Sequence, residues 1–221
     1  MRRLIAVLAL ACATACATAP PPRPQLPPGG TIVVVEPDVK LALLAVNARS
    51  IDRPDWSAAA REHLARHARD RIAGGGRNAV SLLRAEASPQ ARQILLLHDA
   101  VRVSIRTADT ADPAPPTLPR HRAWTLGAGA RALAIGDATH ALLISCDGDV
   151  TSALRGVFVV GAAAAGVQAP TGITRAAASL VDLRSGDIIW KNSIVARPDQ
   201  DVRTPEGAHA LLHALLDGAP L

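Results

Sequence analysis

The sequence predicts an α/β (α+β) fold in which a mixed β-sheet is flanked by helices. Three observations predict it. Short β-branched or apolar runs recur at Thr31–Glu36, Asn78–Ala85 and His140–Cys146. Segments with helical spacing and helix-start residues fall between and after them. Residues 176–195, AAASLVDLRSGDIIWKNSIV, hold two strand-prone runs around Arg184-Ser185-Gly186-Asp187. Glycine there supplies the positive φ of a tight reversal, so the stretch reads as a β-hairpin.

Thr31–Glu36, TIVVVE, is a buried first strand, interrupted at Pro37-Asp38. Val39–Val46 is apolar and fits either a short strand or a packed loop. Asp52-Arg53-Pro54-Asp55 is a turn, and Asp55 or Ser57 caps a helix that runs to about Ala73. Leu64, Ala68 and Ile72 form its apolar stripe, and Gly74-Gly75-Gly76 stops it. After the strand Asn78–Ala85, Ser88-Pro89 opens a second helix with Ile94, Leu97, Ala100 or Val101, and Ile105 inward. Residues 107–122 are polar and proline-rich. Trp124–Ala138 is a Gly- and Ala-rich helix candidate. His140–Cys146 is a strand that Asp147-Gly148-Asp149 ends. Gly156–Val167 carries no charge and is too short to span a bilayer, which takes about 20 residues. It fits a buried strand and turn, a small helix, or an element that meets a membrane or partner, with burial in the domain preferred. Thr204-Pro205-Glu206 opens a final helix with Leu211, Leu212, Leu215 and Leu216 inward.

The N-terminus carries a different message. Met1-Arg2-Arg3 followed by the apolar Leu4–Ala11 is the pattern of a secretory signal. Two cysteines follow small residues, in Ala11-Cys12 and Ala15-Cys16. Each resembles the lipidated cysteine of a bacterial lipoprotein, although neither has leucine three positions before it. Cys16 leaves an apolar region of ordinary length and is preferred, with Cys12 the alternative and an unlipidated, cleaved product the third. The expected organisation is a signal peptide over 1–15, a lipidated cysteine with its tether over 16–30, and one domain over 31–221. Six prolines in residues 17–30 favour polyproline II. A spacer of that kind reaches roughly 30–40 Å at about 3.1 Å per residue.

Composition narrows the function classes. Removing Arg2 and Arg3 lowers the formal net charge of +5 by two. Lys40 and Lys191 are the only lysines among the 24 Lys and Arg residues, and no block of like charge appears. With aromatics at 2%, neither a nucleic-acid footprint nor a stacking platform is expected. A lipidated Cys16 leaves Cys146 without an obvious disulfide partner.

Several phrases share an order: VVVEPDV (33–39), RPDW (53–56), LHDAV (97–101), WTLG (124–127), ASLVDLRSGDIIW (178–190) and DVRTPEGA (201–208). Together they resemble a group of uncharacterised proteobacterial lipoproteins. That layout is similar to the curli-secretion (CsgG-like) channel lipoproteins and to lipoprotein activators of penicillin-binding proteins. The resemblance covers roughly residues 31–216. It implies the sandwich shared with TolB-type N-terminal domains, an outer-membrane location facing the periplasm, an envelope protein as partner, and no catalytic residues. Ala17 agrees with that location, since aspartate there favours inner-membrane retention in some bacteria. A homo-oligomeric ring is a further implication. Residues 147–172 do not alternate as barrel strands do, so a pore is not expected.

No constellation predicts catalysis, a cofactor or a metal site. His63/His67 and His209/His213 have the i,i+4 spacing that can share a metal, but each pair flanks an apolar stripe. His140 and Cys146 are roughly 20 Å apart on an extended strand, too far for a base and its nucleophile. Asp147-Gly148-Asp149 starts like a calcium loop, but the twelfth position is Phe158. Arg203–Gly207 is explained by the cap Thr204, Pro205 and a favourable Glu206. The candidate contact surface is therefore Pro113, Pro116 and Trp124 with Phe158, Val159 and Val160. The alternative is a periplasmic small-ligand binder or hydrolase with a cleft near Cys146 and Asp147.

Overall fold

The structure, a computed structural model, describes Leu26 and residues 29–110, 123–165 and 171–221. Among these residues the strands are β1 (Thr31–Val35), β2 (Asp38–Leu44), β3 (Ser50–Asp52), β4 (Asn78–Leu82), β5 (His140–Thr151), β6 (Thr174–Asp182) and β7 (Ile188–Val195). The helices are α1 (Pro54–Gly74), α2 (Pro89–Thr110), α3 (Ala153–Ala164) and α4 (Pro205–Leu215).

β5 is the long axis of one mixed sheet. β1 and β2 form a single line broken at Glu36-Pro37, where proline lacks a donor for the ladder. That line runs parallel to β5, first through Ile32↔His140 and then through Asp38↔Ser145 to Leu44↔Thr151. β4 adds parallel to β1, and β3 antiparallel to β2. β6 takes the other edge of β5, antiparallel from His140↔Asp182 to Gly148↔Thr174. β7 returns antiparallel along β6, with a bulge at Leu180/Val181, so the expected hairpin is present and forms the sheet's edge. The mixed sheet with flanking helices is the predicted fold class.

Side chains alternate across the sheet, so each strand feeds two cores. On one face Ile32, Leu142 and Leu180 meet Leu64 and Ile72 of α1 and Leu211 and Leu215 of α4. On the other, Val33, Leu143 and Val181 meet Ala91 and Leu95 of α2 and Leu133 of a 3-10 turn over Ala128–Leu133. The inward leucines of α4 and the stripe of α1 are as the 3.6-residue spacing dictates. Thr204 Oγ1 accepts from Gly207 N–H at 3.1 Å and caps α4, and Ser88 Oγ accepts from Ala91 N–H at 3.1 Å at the start of α2.

Several local expectations are corrected. α1 starts at Pro54 with no side-chain cap, because Ser57 is buried and its Oγ accepts from Leu41 N–H at 2.9 Å. Asp52 closes the short strand β3 and Pro54 already opens α1, so the expected four-residue turn reduces to Arg53. The buried residues of α2 are Ala91, Leu95, His98 and Ile105; Ile94 and Val101 pack partly buried against the same core as expected, while Leu97 faces outward. Trp124–Ala138 is not an α-helix: Leu126 N–H bonds the Gly186 carbonyl, and Gly127 turns the chain at φ 69°. Asp147-Gly148-Asp149 does not end β5, since β2 and β6 bond it from both sides as far as Gly148, and β2 continues to Thr151. The preferred burial of Gly156–Val167 is also overturned, because its described part lies in a helix with an exposed apolar face.

Candidate functional site

α3 is held by its only charged residue. Its sequence is ALRGVFVVGAAA, and the Ser152 side chain caps it by accepting from Arg155 N–H at 3.2 Å. The Arg155 side chain is 2% exposed. Its Nη1 donates to the Ala45 carbonyl at 3.2 Å and to the Val46 carbonyl at 2.9 Å, tying α3 to the β2–β3 loop. Facing away are Leu154 (69% exposed), Val157 (71%), Val160 (71%) and Phe158 (52%), while Val159 is half-buried. Val46, beside the Arg155 anchor, adds to the exposed apolar surface. Isolated exposed leucines are ordinary, whereas four large apolar residues on one three-turn helix make a patch with interaction chemistry.

The candidate contact residues do not share one surface. The Trp124 carbonyl accepts from Ile188 N–H at 2.8 Å, beside the hairpin loop. That loop flanks His140, the first residue of β5, whereas α3 follows Thr151, the last. The strand between them is roughly 36 Å long at 3.3 Å per residue. Pro113 and Pro116, like Cys12 and Cys16, lie outside the described residues.

A groove runs between the second half of α2 and the β6–β7 hairpin, with a volume of about 330 Å³. Two ion pairs cross it: Arg102 Nη1 to Asp147 Oδ1 at 3.2 Å, and Lys191 Nζ to Asp109 Oδ2 at 2.5 Å. Arg106 and Arg175 also line it, and neither has an ion pair among the described residues. Sequence reading did not single out these four cations, which come from three elements. The one local signal was the i,i+4 spacing of Arg102 and Arg106 on the face of α2 that carries His98 and Ile105.

Cys146 is fully buried and faces the α1/α4 core, so it does not line the groove that Asp147 does. Burial, with help from the Asp147 charge, pushes its thiol up to about 12. An unfolded chain sheds this proton near pH 8.5 while the folded chain keeps it. Stability is therefore expected to fall as pH rises through about 9 and on toward 12. A thiol reagent at pH 8, read against Cys146→Ser, is expected to modify Cys146 only when denaturant is added; rapid native-state labelling would contradict its burial.

The histidines assemble differently from their sequence pairs. His67 of α1 meets His209 of α4 at 5.2 Å between ring centroids, and His213 lies 6.4 Å from His209. The His67 Nε2–H donates to the Pro205 carbonyl at 3.1 Å, so that ring serves helix packing. Among the described residues no three His, Cys, Asp or Glu side chains are placed to hold a metal ion.

No family model and no curated protein matches the chain. Eight chains of solved structures match it. One is a neuraminyllactose-binding hemagglutinin homolog from Helicobacter pylori, with 12% identity over 91% of this chain and 92% of that chain and a TM-score of 0.42. Among the described residues no helix is long and apolar enough to cross a membrane.

Proposed function

We propose that the protein is a non-enzymatic envelope lipoprotein, lipid-anchored through Cys16 at the outer membrane and facing the periplasm. In this reading it is an accessory factor in outer-membrane assembly, secretion or cell-wall processes and works through protein contacts. The observation that carries the reading is the uncharged, exposed face of α3. Its position adds support. The Leu26 carbonyl accepts from Arg77 Nη2 at 3.1 Å where β1 and β5 begin. A tether arriving at that end leaves α3 at the far end of β5. The second reading, a periplasmic small-ligand binder, is favoured by the groove beside Asp147. Its hydrolase form finds no nucleophile in the buried Cys146.

Metabolic labelling with a fatty-acid analogue tests the anchor. Label is expected on the unaltered chain and on Cys12→Ser, and its loss is expected in Cys16→Ser. Loss confined to Cys12→Ser moves the anchor to Cys12, and no label on the unaltered chain ends the lipoprotein reading.

A further inference from the structure

We propose that the groove between α2 and the β6–β7 hairpin binds a small polyanion, one carrying two or more phosphate or carboxylate groups. The inference rests on the ligand-binding reading and is independent of the anchor. It begins with the register. Arg175, Ala177 and Ser179 alternate onto one face of β6, opposite Val195, Ser193 and Lys191 of β7. Further along the same face Val181 and Leu143 fill the space under α2. At the groove small side chains replace them, which leaves the cavity of about 330 Å³, within the range of small-ligand sites.

Charge decides what fits. Four cations meet two carboxylates around this cavity, and Asp147 and Asp109 are each taken, by Arg102 and Lys191. Arg106 on the helix wall and Arg175 on the strand wall remain with no carboxylate among the described residues. Both are guanidinium forks, suited to bidentate contact with phosphate or carboxylate. The last turn of α2 holds no basic residue, so the helix dipole does not account for Arg106, which lies before it. Arg175 lies on β6, gains nothing from that dipole, and does not pair with Asp147, its register neighbour on β5. A ligand with two anionic groups gives each free fork a partner.

Calorimetric titration of the purified full-length chain with pyrophosphate, and separately with tricarballylate, tests the site. About 150 mM salt screens non-specific attraction. Saturable binding is expected, weakened roughly tenfold or more by Arg106→Ala and by Arg175→Ala and partly restored by Arg175→Lys. The exposed Arg92→Ala is expected to bind as the unaltered chain does. Preference between the two probes identifies phosphate or carboxylate as the better group. Unchanged binding in both groove variants, an equal loss in Arg92→Ala, or no heat up to about 10 mM of either probe overturns the assignment. Thermal unfolding of each variant separates loss of the site from loss of the fold.

Discussion

Gly186→Ala is expected to destabilise the protein by about 3 kcal/mol, enough to open the β6–β7 hairpin loop. Gly186 sits at φ 81°, where a side chain costs about 1–2 kcal/mol by itself. An added Cβ would also run into the backbone N, C and O atoms of Gly127, which have no rotamer to escape into. The contact is structural: Leu126 N–H donates to the Gly186 carbonyl at 2.8 Å, and Ile188 N–H to the Trp124 carbonyl at 2.8 Å. The loop is otherwise well held, since Asp182 Oδ1 accepts from Arg184 N–H at 2.7 Å and Ser185 N–H at 3.1 Å. Gly76 provides the control, with φ 75° and nothing within 4 Å of the point where a Cβ would stand. Gly76→Ala should cost only about 1 kcal/mol. Urea unfolding of the two variants measures both terms. Equal losses would show that the 124–127 segment does not close on the hairpin.

Arg155→Ala is expected to cost about 3 kcal/mol and to free α3 from the body. The substitution removes the Arg155 donor from the Val46 carbonyl, leaves the Ala45 carbonyl only its bond from Ala48 N–H, and opens a void where a large buried side chain stood. The readouts are urea unfolding and limited proteolysis, with new cleavage expected in α3. Arg155→Lys should recover part of the loss, because one ammonium can reach a carbonyl but lacks the fork. A variant as stable and protease-resistant as the unaltered chain would mean that α3 is held by something other than this anchor.

The sheet and its hairpin were legible because their signals are local. TIVVVE can hardly be other than a buried strand, and Ser185-Gly186-Asp187 between apolar runs supplies turn chemistry where the turn occurs. The same holds for α4, whose cap and leucine spacing agree. Local signals misled where partners distant in sequence decide. Asp147-Gly148-Asp149 has the composition of a turn, yet two neighbouring strands bond it into β5. Leu95-Leu96-Leu97 permits two stripes one residue apart, and the chosen one buries His98 and turns Leu97 outward. The Gly/Ala-rich 124–138 segment has helical spacing, but backbone pairing with the hairpin loop captures its start. For α3 the apolar composition announced burial without saying against what. The groove was invisible because its cations lie on α2, β6 and β7 and form a cluster only in three dimensions.

A photo-crosslinking residue placed in α3 in intact cells tests the central claim most directly. Val157 and Val160 carry it in two separate chains, and Leu96, equally exposed on α2, carries it in a third. If the uncharged face of α3 is the working surface, irradiation yields a discrete protein adduct from Val157 and Val160 and none from Leu96. An adduct from Leu96 alone, or no adduct from either α3 position, would contradict the account.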